Sequence, residues 1–401
     1  MFLIFLHFSY LNCTFALAGG GCKASVLSYQ LMKKDMQQIV LSILFGLVAI
    51  AAQGQIKVEV SEPVELMCIL SRTAEFQEYD GDMCGQYGKD ADEWFAPYKQ
   101  HAIIPYYQSL RAQHGIAHER VMSMALHLEI EKGKVQFIGD KSDLYGGWKD
   151  DDVDIDHFLV LLNQFYKETR FNEFFKKHRA FYEEGVKAYE EIVMPNFHQE
   201  WFAKFFGAEP TEPFHIVLCF SHASHNNAVT RHLPGKPTEK FAVCSYWIHP
   251  ATGQLFGGGE IALGILVHEF NHSFVNPLLE NTANATMMTK LGQKLMQFTH
   301  LSMERQSYNE WQIMINESIV RAAVIIYMQD YGFKQNVVLN EIFKEVWQND
   351  FRWTPELVSS LRYYANHRDQ YKTLNDFYPE IFQCLKKYLE DEVARLQKPL
   401  S

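Results

Sequence analysis

"LVHEFNHSFVNP", residues 266–277, places His268 and His272 four positions apart within a mostly apolar run. Residues at i and i+4 lie on one face of an α-helix, one turn apart. Polar side chains in such an apolar helix cost free energy unless they have partners. This spacing suits two imidazoles that bind one tetrahedral metal ion through bonds of about 2.0–2.1 Å. The segment therefore predicts a helix through the middle of a domain, with a metal site on one face.

Glu269 follows the first histidine and lies about 100° further around the helix. It cannot easily bind the same ion, but it can reach a water molecule on the open side of the metal and take its proton. The alternative is that both histidines are core residues bonded to backbone or water. Gly264, one turn earlier, leaves room for an approaching group, and the run from Ile261 to Val275 is apolar on nearly all sides. That setting favours the metal, since unpaired polar groups are costly there.

A tetrahedral site needs a third protein ligand, and four glutamates follow within reach: Glu280, Glu304, Glu310 and Glu317. The first comes after Pro277, which is predicted to end the helix, and the next two have polar neighbours at helical spacing. Glu317 alone lies on an apolar face, in a helix predicted over 311–330. A carboxylate there either loses its charge or meets a cation. An ion pair with Arg321, four positions later, is the alternative to a metal.

The string HEFNH, followed about 45 positions later by "NESIVR", resembles the gluzincin metallopeptidases, the thermolysin-like class. In that class the two histidines and a glutamate from a later helix bind zinc. The resemblance implies a Zn2+ ion held by His268, His272 and Glu317, with Glu269 as general base. The longer string HEFNHSFVNP, with "YYANHRDQYKTLNDFYPEI" (363–381), resembles an uncharacterised family of secreted bacterial proteins over roughly 60–398.

The resemblance also implies a substrate-binding strand, because in gluzincins a strand antiparallel to the substrate precedes the active-site helix. "KFAVCSYWI" (240–248) is the natural candidate, and Ala242, Cys244 and Tyr246 are its candidate substrate-binding residues. We expect this strand to lie at the edge of the sheet, where an extended peptide can pair with its backbone. One departure concerns Arg321, which stands where thermolysin-like proteins often have an acidic residue that orients a histidine. The groups around the ligands are therefore expected to differ.

A tetrahedral intermediate also needs a hydrogen-bond donor opposite the metal. The candidates are Tyr363, Tyr364, His367 and Tyr371 in the C-terminal helices. Tyr364 is the preferred catalytic candidate, because it is predicted to share a helical face with Arg368 and Tyr371. The alternative is that these aromatic residues belong to the core or the surface.

The order of the patterns predicts an α+β, mostly helical fold. Residues 56–206 read as a mainly helical N-terminal region. Residues 207–401 read as a zincin-like metallopeptidase core with a small sheet, a central HExxH helix and a C-terminal helical subdomain. The "DDDVDID" run (150–156) lacks the glycine and glutamate of a calcium loop, so it predicts a solvated helix start. The net charge of −11 without a basic run excludes a nucleic-acid partner.

Residues 1–54 read as a signal or targeting region. From Met32, "MKKDMQQIVLSILFGLVAIAAQGQ" has two lysines, a short apolar run and a small-residue exit, the form of a secretory signal peptide. The true start is predicted at Met32 or Met36, with a mature chain beginning near Gln55. The apolar run is short for a membrane span, which needs about 20 residues, although a membrane segment at the N-terminus is the alternative.

These patterns predict a secreted or periplasmic zinc-dependent metallohydrolase, with a peptide or protein as substrate and no stable membrane span in the mature chain. Three alternatives stand beside a peptidase. The protein can be a catalytically silent zinc-binding envelope protein, a metal-free binding or structural protein, or an amidase acting on cell-wall peptides. The intact Glu269 argues against the silent protein, since a structural metal site has no use for a base.

Overall fold

A computed structural model of the chain describes residues 56–81, 84–207, 212–222, 226–249, 252–306 and 308–397. The predicted signal or targeting region lies outside these residues. Residues 56–401 form one compact unit, and the division into 56–206 and 207–401 stays a prediction.

The described residues form an α+β fold dominated by helices, which confirms the predicted fold class. The strands are β1 Lys57–Glu59, β2 Leu128–Glu131, β3 Lys134–Phe137, β4 Phe214–Cys219, β5 Asn227–Arg231 and β6 Glu239–Ser245. The helices before β4 are α1 Glu62–Thr73, α2 Gln86–Phe95, α3 Ile103–His114, α4 Glu119–Leu126, α5 Ile155–Glu168, α6 Phe171–Lys177, α7 Arg179–Ile192 and α8 Glu200–Phe206. The helices after β6 are α9 Gly259–Glu280, α10 Thr282–Arg305, α11 Trp311–Asp330, α12 Gln335–Trp347, α13 Thr354–Asn366 and α14 Leu374–Leu396.

Four strands form a mixed sheet in the order β1-β4-β6-β5. β4 is parallel to both β1 and β6, whereas β5 is antiparallel to β6, with Val229 opposite Phe241. β6 therefore has a partner on each side, and the prediction that residues 240–248 form an edge strand is wrong. The two edges of this sheet are β1 and β5. β5 could not be predicted from the sequence, because only Val229 of its five residues is buried. The segment therefore resembles part of a polar loop.

A hairpin turns at Lys132 and Gly133. β2 and β3 pair antiparallel, with Glu131 opposite Lys134. The two residues between the strands have φ angles of 51° and 77°. Positive φ at both central positions is the turn geometry that matches the twist of paired strands.

α9 packs against α11 and against β5 and β6, so it runs through the interior of the unit. Its length and burial follow from its composition, because apolar residues cover most of its circumference and meet neighbours on several sides. Pro277 lies inside this helix, which continues to Glu280. The prediction that the proline ends the helix is wrong, and the helix extends about one further turn.

None of the helices in the described parts of the chain combines the length and the apolar character that crossing a membrane requires.

Candidate metal centre

His268 and His272 project from the same face of α9, as their spacing predicts. Their Nε2 atoms lie 3.2 Å apart. Both side chains are largely buried, and the ring of His272 is further held by Asn276, one turn later. His272 Nδ1 lies 3.2 Å from Asn276 Oδ1. The amide oxygen accepts a hydrogen bond from the Nδ1–H group, which leaves the Nε2 lone pair directed at the site.

Glu317 reaches this histidine pair from α11. Its Oε1 lies 3.3 Å from His272 Nε2, and its Oε2 lies 3.5 Å from His268 Nε2. Only 6% of the residue is exposed. The two helices that carry the three side chains pack directly against each other. Core packing therefore fixes the positions of these side chains. The role of these residues as metal ligands stays a prediction.

The arrangement fits a small tetrahedral cation. Ligand atoms about 2.0–2.1 Å from a tetrahedral zinc ion lie about 3.3 Å from one another. The three measured separations, 3.2, 3.3 and 3.5 Å, match that edge length. The chemistry agrees: when Asn276 accepts the Nδ1 proton, a neutral His272 offers only a lone pair at Nε2. That lone pair then faces a carboxylate oxygen and a second imidazole, and a proton or a metal cation must lie among them.

The charges of the metal-free site follow from burial and from these close contacts. Burial lowers the pKa of His268 to about 3, so this ring is neutral. Burial also acts to lower the pKa of His272, but the hydrogen bond and charge of Glu317 outweigh it and raise the pKa to about 9. Burial acts to raise the pKa of Glu317, yet His268, Arg321 and His272 together hold it well below its usual range. Near neutral pH, His272 is therefore protonated and lies beside the ionised carboxylate of Glu317.

Glu269 is buried near this cluster, with 7% of the residue exposed. Burial raises its pKa to about 7, against the opposing charge of His272 and a hydrogen bond from the backbone of Ala228 in β5. A carboxyl group with a pKa near neutrality is suited to accept and release protons. Glu269, the predicted base, therefore lies close to the three candidate ligands and to β5, one of the two edge strands.

Arg321 is the predicted alternative partner of Glu317. Its Nε does donate to Glu317 Oε2 at 3.1 Å, so the carboxylate faces both the arginine and the histidines. The ion pair and the predicted ligand set are therefore compatible. On its other side, Nη1 of Arg321 contacts both carboxylate oxygens of Glu345, at 3.1 and 2.8 Å.

Two contributors to this site were missed from the sequence. Glu345 lies on α12 with 3% exposure, and Tyr308 accepts a hydrogen bond from Arg321 Nη2 at 3.0 Å. The signal for Glu345 was weak: Val338 and Ile342 share its helical face, but Glu341, four positions earlier, lies on that face too. For Tyr308, in the segment before α11, no comparable pattern exists.

Tyr364, the candidate donor opposite the metal, lies elsewhere in the core. Its ring contacts Phe205, Phe377 and the guanidinium of Arg368. Its hydroxyl has no hydrogen-bond partner among the described residues. The predicted shared face with Arg368 and Tyr371 is wrong, because α13 ends at Asn366. The contacts of Tyr364 are those of a core aromatic residue, and its catalytic role stays a prediction without structural support.

Ala242, Cys244 and Tyr246 are all buried, the first two within the interior strand β6 and the third just after it. The backbone of β6 is already paired on both sides. The reason for assigning substrate binding to these residues, a free strand edge, is therefore absent.

A second group of side chains with metal-ligand chemistry lies around His114, Asp150 and Asp152. The imidazole Nδ1 is 2.8 Å from one carboxylate and 3.9 Å from the other, and both aspartates are exposed. Asp154 caps α5 by accepting a hydrogen bond from the His157 amide at 2.9 Å, which confirms the predicted helix start. These contacts are those of a solvated surface.

The family model described as a domain of unknown function, DUF4932, matches residues 56–384. The match spans well over half of the chain, and the chain belongs to this family. No curated protein and no solved structure matches it.

Proposed function

We propose that this DUF4932 protein is a zinc-dependent metallohydrolase of the gluzincin type that cleaves peptide bonds. The observation that carries the proposal is the convergence of three ligand atoms, from His268, His272 and Glu317, at separations that match a tetrahedral zinc site. Imidazole nitrogens and a carboxylate oxygen are ligands that zinc accepts in catalytic sites. Three protein ligands also leave the fourth position of such a site open.

Zinc bound at such a site supplies a Lewis acid that polarises a carbonyl group and acidifies water. The chain supplies the base. Glu269, with a pKa of about 7 in the metal-free protein, accepts the proton of the attacking water and delivers it to the departing amine. The presence of a buried base beside the ligand cluster favours catalysis over a purely structural metal site.

The edge strand β5 supports a peptide as substrate. It has a partner strand on one side only within the described sheet, and α4 also packs against it. An extended chain that adds to β5 would pair along the side without a partner strand. Ala228 of this strand is the residue whose backbone bonds to Glu269. A peptide running along β5 therefore passes beside the base. The amide of Thr230, two residues on, donates to the hydroxyl of Tyr145 at 2.8 Å, and this contact limits pairing in that direction.

The proposal is tested on purified protein by metal analysis together with turnover of a mixed peptide library. We expect one zinc ion per chain, cleavage of peptides, loss of cleavage with a chelator, and recovery on adding zinc. Protein that binds no zinc would overturn the proposed site. Protein that binds stoichiometric zinc and cleaves nothing in the library would instead support the catalytically silent protein.

A further inference from the structure

Arg321 joins two carboxylates that belong to different helices. Its Nε donates to the predicted ligand Glu317 at 3.1 Å, and its Nη1 donates to Glu345 of α12, at 2.8 Å in the shorter contact. The guanidinium also lies over the ring of Phe351, 4.7 Å from the centroid, and contacts Tyr308. Arg321 and both carboxylates are largely buried, so these charges interact with little screening by water.

Glu345 is held for this contact. Its Oε2 accepts a hydrogen bond from Asn349 Nδ2 at 2.8 Å, and 3% of the residue is exposed. A buried carboxylate is costly unless it is paired and hydrogen-bonded. Both conditions are met here, and the hydrogen bonds of Glu345 go to Arg321 and Asn349 rather than to His268 or His272. Its link to the metal-ligand cluster passes through Arg321.

We propose that Glu345 is a positioning residue that sets the zinc affinity of the site by neutralising Arg321. This inference rests on the proposed function. With Glu345 ionised, Arg321 orients the Glu317 carboxylate while its positive charge is balanced on the side away from the ligands. Without Glu345, the full charge of the guanidinium falls on Glu317 and on the incoming cation. Arg321 then pairs more tightly with the ligand and repels the metal.

The charge count explains how a buried arginine is tolerated beside a ligand. Once zinc has displaced the proton of His272, both imidazoles are neutral, and Glu317 and Arg321 alone sum to zero, which leaves little attraction for a divalent cation. The addition of Glu345 restores one net negative charge to the group. This also accounts for the departure noted in the sequence, where Arg321 stands at a position that is often acidic in thermolysin-like proteins.

The test measures the zinc dissociation constant by competition with a chelator for the wild type and for Glu345→Gln. We expect Glu345→Gln to weaken zinc binding by about 10- to 100-fold, the usual effect of a group that orients metal ligands. Glu341→Gln is the matched control, since Glu341 lies on the same helix and pairs with Lys344 at the surface. It should bind zinc as the wild type does.

The double variant Arg321→Gln/Glu345→Gln separates charge balance from support of the fold. It removes the uncompensated cation, so it should bind zinc more tightly than Glu345→Gln, with an affinity close to that of the wild type. If Glu345→Gln alone does not fold, the zinc affinity of the double variant is compared with that of the wild type instead. A merely structural Glu345 would lower the melting temperature of the metal-free protein and leave the dissociation constant unchanged.

Two results would overturn the inference: wild-type zinc affinity in a folded Glu345→Gln variant, or no recovery in the double variant. Either result leaves the proposed function intact as long as the wild type binds zinc and cleaves peptides. Failure of the wild type to bind zinc is the separate result that removes both.

Discussion

His268 Nε2 and His272 Nε2 lie 3.2 Å apart, a separation at which a proton or a metal cation must lie between the two nitrogens. His272 provides a proton at this place because, against the effect of burial, Glu317 raises its pKa to about 9. Glu317 Oε1, 3.3 Å away, accepts the hydrogen bond. The proposed zinc ion would therefore compete with this proton for the same nitrogen.

The first prediction follows from that competition. Zinc must displace the proton, so we expect its affinity to rise by about tenfold per pH unit below about pH 9 and to level off above it. Calorimetric titrations in two buffers of different ionisation enthalpy should show release of about one proton per zinc ion near neutral pH. An affinity that stays constant over this range would place the zinc elsewhere.

Asn276 provides the second prediction, because its side chain lies 3.2 Å from His272 Nδ1. Asn276→Ala should weaken zinc binding by about 10- to 100-fold, since the imidazole loses the partner that fixes its tautomer and ring orientation. Asn276→Asp keeps an acceptor at this position and should retain most of the affinity. Equal losses in the two variants would show that the hydrogen bond does not orient the ligand.

The grouping of the three candidate ligands could be predicted from the sequence because its signals are local. The i, i+4 spacing of His268 and His272 and the isolation of Glu317 among apolar neighbours are visible within single helices. Helix periodicity is enough to place such residues on one face. The packing of α9 against α11 could also be expected, because both helices are apolar enough to form the core.

What failed depends on contacts between distant segments. The pairing that puts β5 rather than β6 at the sheet edge joins residues such as Ala228 and Ala242, and no short window of sequence contains it. The partnership of Arg321 with Glu345 likewise joins two helices. Tyr364 was assigned from its residue type and a supposed helical face, but the helix ends too early for that face to exist.

Glu65 tests how much its buried hydrogen bonds to the segment after β4 stabilise the fold. It is fully buried, and its carboxyl group accepts hydrogen bonds from the Phe220 amide at 2.6 Å, the Tyr87 hydroxyl at 2.7 Å and the Ser221 hydroxyl at 2.5 Å. Glu65→Ala leaves these donors without a partner, so we expect a loss of about 3 kcal/mol or more in the free energy of unfolding. Glu75→Ala, at an exposed surface pair with Lys99, should change it little.

The pH dependence of the free energy of unfolding provides a second measurement on Glu65. Burial raises the pKa of Glu65 from its ordinary value of 4.5, so the folded chain keeps the proton to higher pH than the unfolded chain does. This group therefore makes the wild type less stable as the pH rises above about 4.5. Glu65→Gln, which does not titrate, should remove that part of the decline. An unchanged slope in denaturant titrations would show that the carboxyl group is already ionised in the fold.

Tyr145 tests whether peptides bind along β5. Its hydroxyl accepts a hydrogen bond from the Thr230 amide, a group that a longer substrate would use. Tyr145→Phe frees that amide, so KM should fall for long peptides while kcat stays the same. Peptides too short to reach Thr230 serve as the control and should be unaffected. A KM that does not change for either length would mean that the substrate does not extend along this part of the strand.

The last prediction separates the two glutamates of the site. Glu269→Gln should abolish turnover while zinc stays bound, because the amide cannot accept the proton of the attacking water. Glu317→Ala should lose both zinc affinity and turnover, since it removes a ligand and leaves Arg321 without the carboxylate that lies 3.1 Å from its Nε. Metal analysis after dialysis, with peptide turnover on the same samples, distinguishes the two variants. Stoichiometric zinc and normal cleavage in Glu317→Ala would show that the third ligand is wrongly assigned.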